Sequence, residues 1–289
     1  MLVSIYMPTK NRLASLQLAI NSVLNQSYKD IELLVVDDGS TDGSREYLLQ
    51  LQNDEPRVKV FLNDKSRGAC YARNVAIKAA TGEFVTGLDD DDEFLPQHIG
   101  ALVEYWQLLA RYSDETVSCL YTHIIARKPE GFIRVRRRPF IEYFDLFESN
   151  CIGNQVFAPR SHFVDAGLFD EQMPAWQDME LFFRIMKKYG KARLLDLHTY
   201  LFDEMPRDDR ISSGRKDRII EAYNRMSSKH ADTRQARQRL LLQVHAHHYN
   251  FPIKLYEIFE FMKMGFWFYG YKEILTRYWE RKFLDKNRK

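Results

Sequence analysis

Over the first hundred positions, apolar residues alternate between short unbroken runs and spaced stripes, with polar stretches between them. Leu2 to Met7 is a β-branched and aromatic run closed by Pro8, which predicts a short buried strand. The polar Thr9-Lys10-Asn11-Arg12 follows, and then Leu13, Leu16, Ile20, Val23 and Leu24 fall on one face of a predicted helix. The unit repeats. Ile31 to Val36 predicts a strand, Asp37 to Gly43 a turn and Ser44 to Leu51 a helix. Val58 to Leu62 predicts a third strand, Asn63 to Gly68 a loop, and Ala69, Ala72, Ala76, Ala79 and Ala80 mark a third helix. Glu83 to Leu88 is a fourth apolar run that passes directly into Asp89-Asp90-Asp91-Asp92. Strands and helices alternating through short polar loops predict an α/β fold, a mostly parallel Rossmann-like sheet flanked by helices. Ligands of such sheets bind beyond the carboxyl ends of the strands. Pro8-Thr9, Asp37-Asp38 and Asp89 to Asp92 all lie at such ends and should share one rim.

Farther along, Ile99 to Tyr112 reads as an amphipathic helix and Val117 to Ala126 as a strand interrupted by His123. Residues 127 to 138 carry Arg134, Arg136, Arg137 and Arg138, either a solvated hairpin or a surface for anionic lipid or a phosphate-bearing acceptor. Residues 203 to 214 are polar and rich in turn formers, a predicted mobile loop, and helical patterns fill the remainder. Residues 1–210 are therefore expected to form the main domain and 211–289 a helical extension. From 251 to 289, aromatic residues such as Phe259, Phe266, Trp267 and Trp279 alternate with Lys254, Lys263, Lys272 and Arg277. That mixture suits a helix lying among lipid headgroups, or one packed on the catalytic domain or on a second copy in an oligomer. His245, His247 and His248 read as packing residues on an amphipathic helix rather than as a metal cluster.

Composition narrows the classes. A chain of 289 residues, 45% hydrophobic, supports one large core or a core with an appendage. A formal net charge of +2 gives no general nucleic-acid surface, so no nucleic-acid partner is expected. Cys70, Cys119 and Cys151 are odd in number and far apart, which suits neither a disulfide framework nor a zinc site and points to a reducing compartment. The first residues lack the basic and apolar regions of a signal peptide, and no run approaches the ~20 apolar residues that span a bilayer. The expectation is a cytoplasmic protein, peripheral on the inner face of the cell membrane if 251–289 binds lipid.

Four consecutive carboxylates repel one another. A hard divalent cation, Mn²⁺ or Mg²⁺, would neutralise them and keep coordination positions open for substrate phosphates. The alternative is that Asp92-Glu93-Phe94-Leu95-Pro96 caps the next helix.

Pro8-Thr9-Lys10-Asn11-Arg12, Val35-Val36-Asp37-Asp38-Gly39-Ser40-Thr41-Asp42, Arg67-Gly68 with Ala72-Arg73-Asn74, and Gly82-Glu83-Phe84 leading to Asp89-x-Asp91-Asp92 resemble successive blocks of family 2 glycosyltransferases. A fifth block, Ala175-Trp176-Gln177-Asp178-Met179-Glu180-Leu181-Phe182-Phe183-Arg184, resembles the family's catalytic segment, with Gln177 where glutamate is usual. The resemblance implies the GT-A fold and inverting transfer from a nucleotide sugar, with uridine diphosphate as the expected carrier. It also implies a saccharide or lipid-linked acceptor in lipopolysaccharide, capsule or exopolysaccharide synthesis. By position Asp91, five residues before Pro96, would hold the metal, and Asp89 or Asp90 would face the ribose or donor sugar. Asp178 would be the base. The loop Pro8, Thr9, Asn11 and Arg12, together with Asp38 and Arg67, would receive the nucleotide, Asp38 accepting from a uracil N–H. Trp176 and Asn154 would lie on the acceptor side. Relatives carry a metal-binding histidine that has no counterpart between Thr199 and Ser228, so Asp203, Glu204 or Arg207 would take over part of its task. A nucleotidyltransferase or a catalytically inactive nucleotide-sugar-binding protein of the same fold are the alternatives. A glycoside hydrolase would need neither a metal nor the nucleotide loops.

Overall fold

The computed structural model describes residues 1–206 and 215–286. In chain order the elements are β1 (Val3–Thr9), α1 (Leu13–Leu24), β2 (Ile31–Asp37), α2 (Ser44–Asp54), β3 (Val58–Leu62), α3 (Ala69–Ala79), β4 (Phe84–Gly87) and β5 (Glu93–Phe94). Next come α4 (His98–Tyr112), β6 (Val117–Lys128), β7 (Gly131–Val135), β8 (Phe140–Ile141), β9 (Ala158–Pro159), α5 (Arg160–Asp165), α6 (Gln177–Tyr189) and β10 (Lys191–Asp203). The last are α7 (Lys216–His230), α8 (Arg234–Val244), α9 (Leu255–Lys263) and α10 (Phe268–Lys286).

Two compact units result. The first comprises Met1–Tyr143, Cys151–Glu171 and Asp178–Pro206. Its main sheet has the order β3-β2-β1-β4-β9, parallel except for β9. A second sheet runs β5-β10-β6-β7, with β8 also on β10. Val3, Ile5 and Met7 of β1, Leu33 and Val35 of β2, and Leu16, Ile20 and Val23 of α1 are buried together, which is why the strands read as continuous apolar runs and the helix as a stripe. At the amino ends of the strands, the Glu32 carboxylate accepts from Ser4 Oγ, Lys59 Nζ and the Thr81 and Gly82 amides. These bonds outweigh burial and hold its pKa down to about 2. The opposite rim is left for chemistry.

β1 runs through Pro8 and Thr9, which pair with Val36 and Asp37, so the strand does not close at the proline. Tyr6 O accepts from Leu88 N on the β4 side, so Pro8, two residues on, directs its missing donor to the side where β4 has already ended. Gly87, the last residue of β4, has a steric role. A Cβ there would lie 1.9 Å from Gln155 Oε1 and 2.3 Å from the Tyr6 ring. Gly87→Ala should therefore cost about 1–3 kcal/mol of stability, as overpacked cores do. Urea unfolding checks this, and a wild-type midpoint would contradict it.

The second unit gathers Phe144–Asn150, Gln172–Gln177 and the described residues from Arg215 onward. Leu242, Ile253, Ile258, Phe261 and Ile274 form its core, with Trp267, Tyr271 and Tyr278 packed against them. Thr233 caps α8 by accepting from Ala236 N at 3.1 Å. The aromatic residues of this region thus divide in two. Tyr256, Phe259, Phe266, Phe268, Tyr269, Trp279 and Phe283 remain exposed. No helix among the described residues is long and apolar enough to cross a membrane. The expected domain boundary at residues 210 and 211, and most of the expected loop at 203–214, lie outside the described residues.

Candidate active site

The three polar loops converge at the carboxyl ends of β1, β2 and β4. Asn11, held at φ 53°, donates its amide to Ser40 Oγ and accepts from Thr41 N, tying the loop after β1 to the loop after β2. Thr9 Oγ1 donates to Asp90 Oδ2 at 2.8 Å. Arg12 Nη1 donates to Asp90 Oδ1 at 3.0 Å and to Asp91 Oδ2 at 2.8 Å. Asp90 is therefore turned inward toward β1. Burial pushes its pKa up to about 6 against the pull of Arg12, with Asp91 adding to the rise.

The helix-cap reading of the acidic run does not survive. Asp92 is followed by β5, and α4 begins only at His98, preceded by Gln97 with no side-chain cap. Asp92 is instead buried and bonded. Its Oδ2 accepts from Tyr200 OH at 2.7 Å and Asn154 Nδ2 at 3.0 Å, and its Oδ1 from Asp203 N at 2.8 Å. Asp89 accepts from Arg73 Nη2 at 3.0 Å, Asn154 Nδ2 at 2.9 Å and Gln155 Nε2 at 3.1 Å. Gln155 in turn accepts from Tyr6 OH at 2.7 Å.

Asp89, Asp91 and Asp92 bring carboxylate oxygens to within 4.8 Å of one another. Burial and then repulsion from Asp91 and Asp89 raise the pKa of Asp92 well above its ordinary value. An all-oxygen set whose acidic run of four outnumbers its two arginines, Arg12 and Arg73, fits a hard divalent cation. The set is larger than Asp91 alone. Of the residues expected to replace the missing histidine, Asp203 reaches the cluster through its backbone amide, Glu204 pairs with Lys128 at 3.0 Å, and Arg207 lies outside the described residues. His198 sits against the His123 ring, 4.6 Å between centroids, and is not among the clustered ligands.

Asp178 is the second residue of α6. Its side chain is 23% exposed, yet Oδ1 is buried with no hydrogen-bond partner. Burial pushes its pKa up to about 6, opposed by Arg73 and reinforced by Asp89. The Arg73 guanidinium links the two groups, with Nη2 on Asp89 and Nη1 3.7 Å from Asp178 Oδ1. Arg73 belongs to the third of the blocks that resemble the family but carries no expected role there. A signal was present, because α3 buries this arginine on the same face as Ala72 and Ala76. Charges are rarely fully buried without partners. Removing one member of a buried charge cluster typically costs about 3–5 kcal/mol, so Arg73→Met should lower the unfolding midpoint sharply. A wild-type midpoint would show that Arg73 does not hold these carboxylates.

Asp38 uses its oxygens to accept from Asn63 Nδ2, Ser66 Oγ and the Arg67 and Gly68 amides, which lower its pKa despite burial and shape the loop. Asn154, expected beside the acceptor, donates to Asp89 and Asp92. Arg67 is exposed and lies over the Tyr71 ring, 3.4 Å from its centroid. Trp176 falls in the second unit, at φ 57°, and donates from Nε1 to Tyr249 OH at 2.8 Å. In that unit His245 is buried and His247 and His248 are exposed, and no metal-binding group forms around them among the described residues.

Comparison with known proteins agrees with this geometry. Residues 4–158 match the profile described as Glycosyl transferase family 2. WcaA of Escherichia coli (strain K12), whose name places it among colanic acid biosynthesis glycosyl transferases, is 33% identical over 239 residues, 80% of this chain and 82% of that protein. A Campylobacter jejuni (subsp. jejuni serotype O:2) protein named GalNAc(5)-diNAcBac-PP-undecaprenol beta-1,3-glucosyltransferase is 32% identical over 167 residues, 54% of either chain. This chain thus spans about half of that relative. Among solved structures, S. aureus TarS 1-349 in complex with UDP-GlcNAc aligns with a TM-score of 0.65 over 91% of this chain and 79% of that one. At 18% identity that likeness speaks for the fold alone.

Proposed function

We propose that the chain, which belongs to glycosyl transferase family 2 and has the GT-A fold, transfers a hexose from a uridine diphosphate sugar to a hydroxyl of a saccharide or lipid-linked saccharide in bacterial surface-polysaccharide synthesis. The observation that carries this reading is the Arg73 guanidinium, which contacts both Asp178 and Asp89 of the acidic cluster. Asp91, with Asp89 and Asp92, would hold Mn²⁺ or Mg²⁺, which when bound supplies Lewis-acid neutralisation of the leaving diphosphate. Arg67 extends charge toward the phosphates, and the loops carrying Pro8 and Thr9 and shaped by Asn11 and Asp38 frame the nucleotide.

Transfer then proceeds by single displacement. Asp178 takes the proton of the acceptor hydroxyl, and the acceptor oxygen bonds to the anomeric carbon from the face opposite the diphosphate. The anomeric carbon–oxygen bond breaks, its electron pair departs with uridine diphosphate, and the anomeric centre inverts. A carboxylate with a pKa of about 6 is suited to this task, because it is ionised near neutrality yet basic enough to accept the proton. The exposed aromatics of 251–283, interleaved with Lys254, Lys263 and Lys272, would rest at a membrane surface where lipid-linked acceptors lie.

A panel of sugar nucleotides tests the reading. Metal-dependent release of uridine diphosphate from one of them is expected. Thermal protection without release across the panel would favour the inactive binding protein, to which Gln177 gives some support.

A further inference from the structure

We propose that the β6–β7 hairpin is an anionic-lipid-binding element that docks the first unit on a membrane surface. β7 is the outer strand of its sheet, in the order β5-β10-β6-β7. Phe132, Ile133 and Val135 are 66%, 41% and 36% exposed, and the neighbouring Arg134 and Arg136 are exposed as well. By strand alternation Phe132 and Arg134 share one face, which Arg136 continues, Ile133 and Val135 lie on the other, and both faces are exposed. Beside the turn of the hairpin the cations are already matched, Arg127 by Glu93 and Lys128 by Glu204. Arg134 and Arg136 have no carboxylate partner among the described residues, and together they lower the pKa of nearby His198 after the effects of burial and His123.

An exposed apolar edge strand is an aggregation hazard unless something covers it. A second copy is a poor cover. Antiparallel edge pairing centred on Arg134 would set arginine against arginine, and like charges directly opposite are destabilising. An anionic bilayer answers both features at once, with headgroup phosphates for the arginines and an interfacial layer for Phe132, Ile133 and Val135. The location has a consequence for the site. Glu204 N donates to Arg127 O beside the turn of the hairpin, and Asp203 N donates to Asp92, so a docked hairpin holds the acidic cluster close to the headgroup plane. This inference depends neither on the sugar transferred nor on residues 251–289.

The test is partition of the full chain onto vesicles of phosphatidylcholine, with or without phosphatidylglycerol. The wild-type chain should prefer the anionic vesicles, and salt should weaken that preference. Each basic residue near such a surface contributes about fivefold to partition, so Arg134→Glu with Arg136→Glu should reduce binding to anionic vesicles at least tenfold. Their effect on phosphatidylcholine should be small, and both sites are exposed, so the melting temperature should stay unchanged. Phe132→Ser should weaken binding while leaving the salt dependence intact. An anionic preference retained by the double variant would overturn the proposal and assign lipid binding to 251–289. Absence of wild-type binding to anionic vesicles would also overturn it, as would dimerisation without lipid that the double variant abolishes.

Discussion

Asp178→Asn lowers the turnover number by about 10²–10⁴-fold, the usual worth of a positioned general base, while uridine diphosphate affinity stays at the wild-type level. Asn keeps the shape of the side chain but cannot accept the hydroxyl proton, whereas the donor-side carboxylates are untouched. In the wild-type enzyme the acidic limb of the pH profile should rise through about 6, where Asp178 loses its proton. The same substitution should stabilise the fold. The carboxyl has its pKa at about 6 when folded, against about 3.9 when unfolded. Between these values the folded state keeps a proton that the unfolded state has released, so stability falls as the pH rises through the window. Asn escapes this loss. With allowance for partial exposure, the gain at pH 8 should be about 1–3 kcal/mol and close to nothing at pH 4. A variant less stable than wild type at pH 8, or one that keeps full turnover, would remove Asp178 from the role of base.

Asp91→Asn should lower turnover by about 10²–10³-fold, the cost of removing one preorganised electrostatic group from a reacting centre. Asp91 belongs to the set of three carboxylates within 4.8 Å, and its own side chain is 16% exposed. Its loss also leaves Arg12 with Asp90 as its remaining partner in the acidic run. Since a bound ion stabilises the folded chain in proportion to the logarithm of its saturation, Mn²⁺ should raise the wild-type melting temperature. It should leave that of Asp91→Asn nearly unmoved. An undiminished metal response in the variant would place the ion elsewhere.

The first half of the main sheet was legible because its strands are buried on both faces, so Ile31 to Val36 needs no alternation to declare itself. In the second sheet only part was legible, Val117 to Ala126 declaring β6, whereas β5 and β8 are two residues long, too short to carry a period. β10 pairs in parallel with β6 but breaks register between Leu195 and His198 and again before Tyr200, which disrupts its pattern of inward and outward residues. In the site, the row of four aspartates announced itself by a repulsion that sequence alone exposes. Their separate fates did not follow from adjacency. Asp90 turns to Thr9 and Arg12, whereas Asp92 turns to Tyr200, a residue 108 positions away. Asn154 and Gln155 brace these carboxylates from a segment with no local signature of that task. The bonds that Asp38 accepts were not legible either, because their donors lie 25–30 residues downstream.

The most direct test of a metal-bound diphosphate facing an independent base is calorimetric titration of uridine diphosphate into Asp178→Asn, once with Mn²⁺ and once with a chelator. The account predicts wild-type affinity with the ion and at least a tenfold loss without it. Equal affinity under the two conditions, or no binding in either, would contradict it.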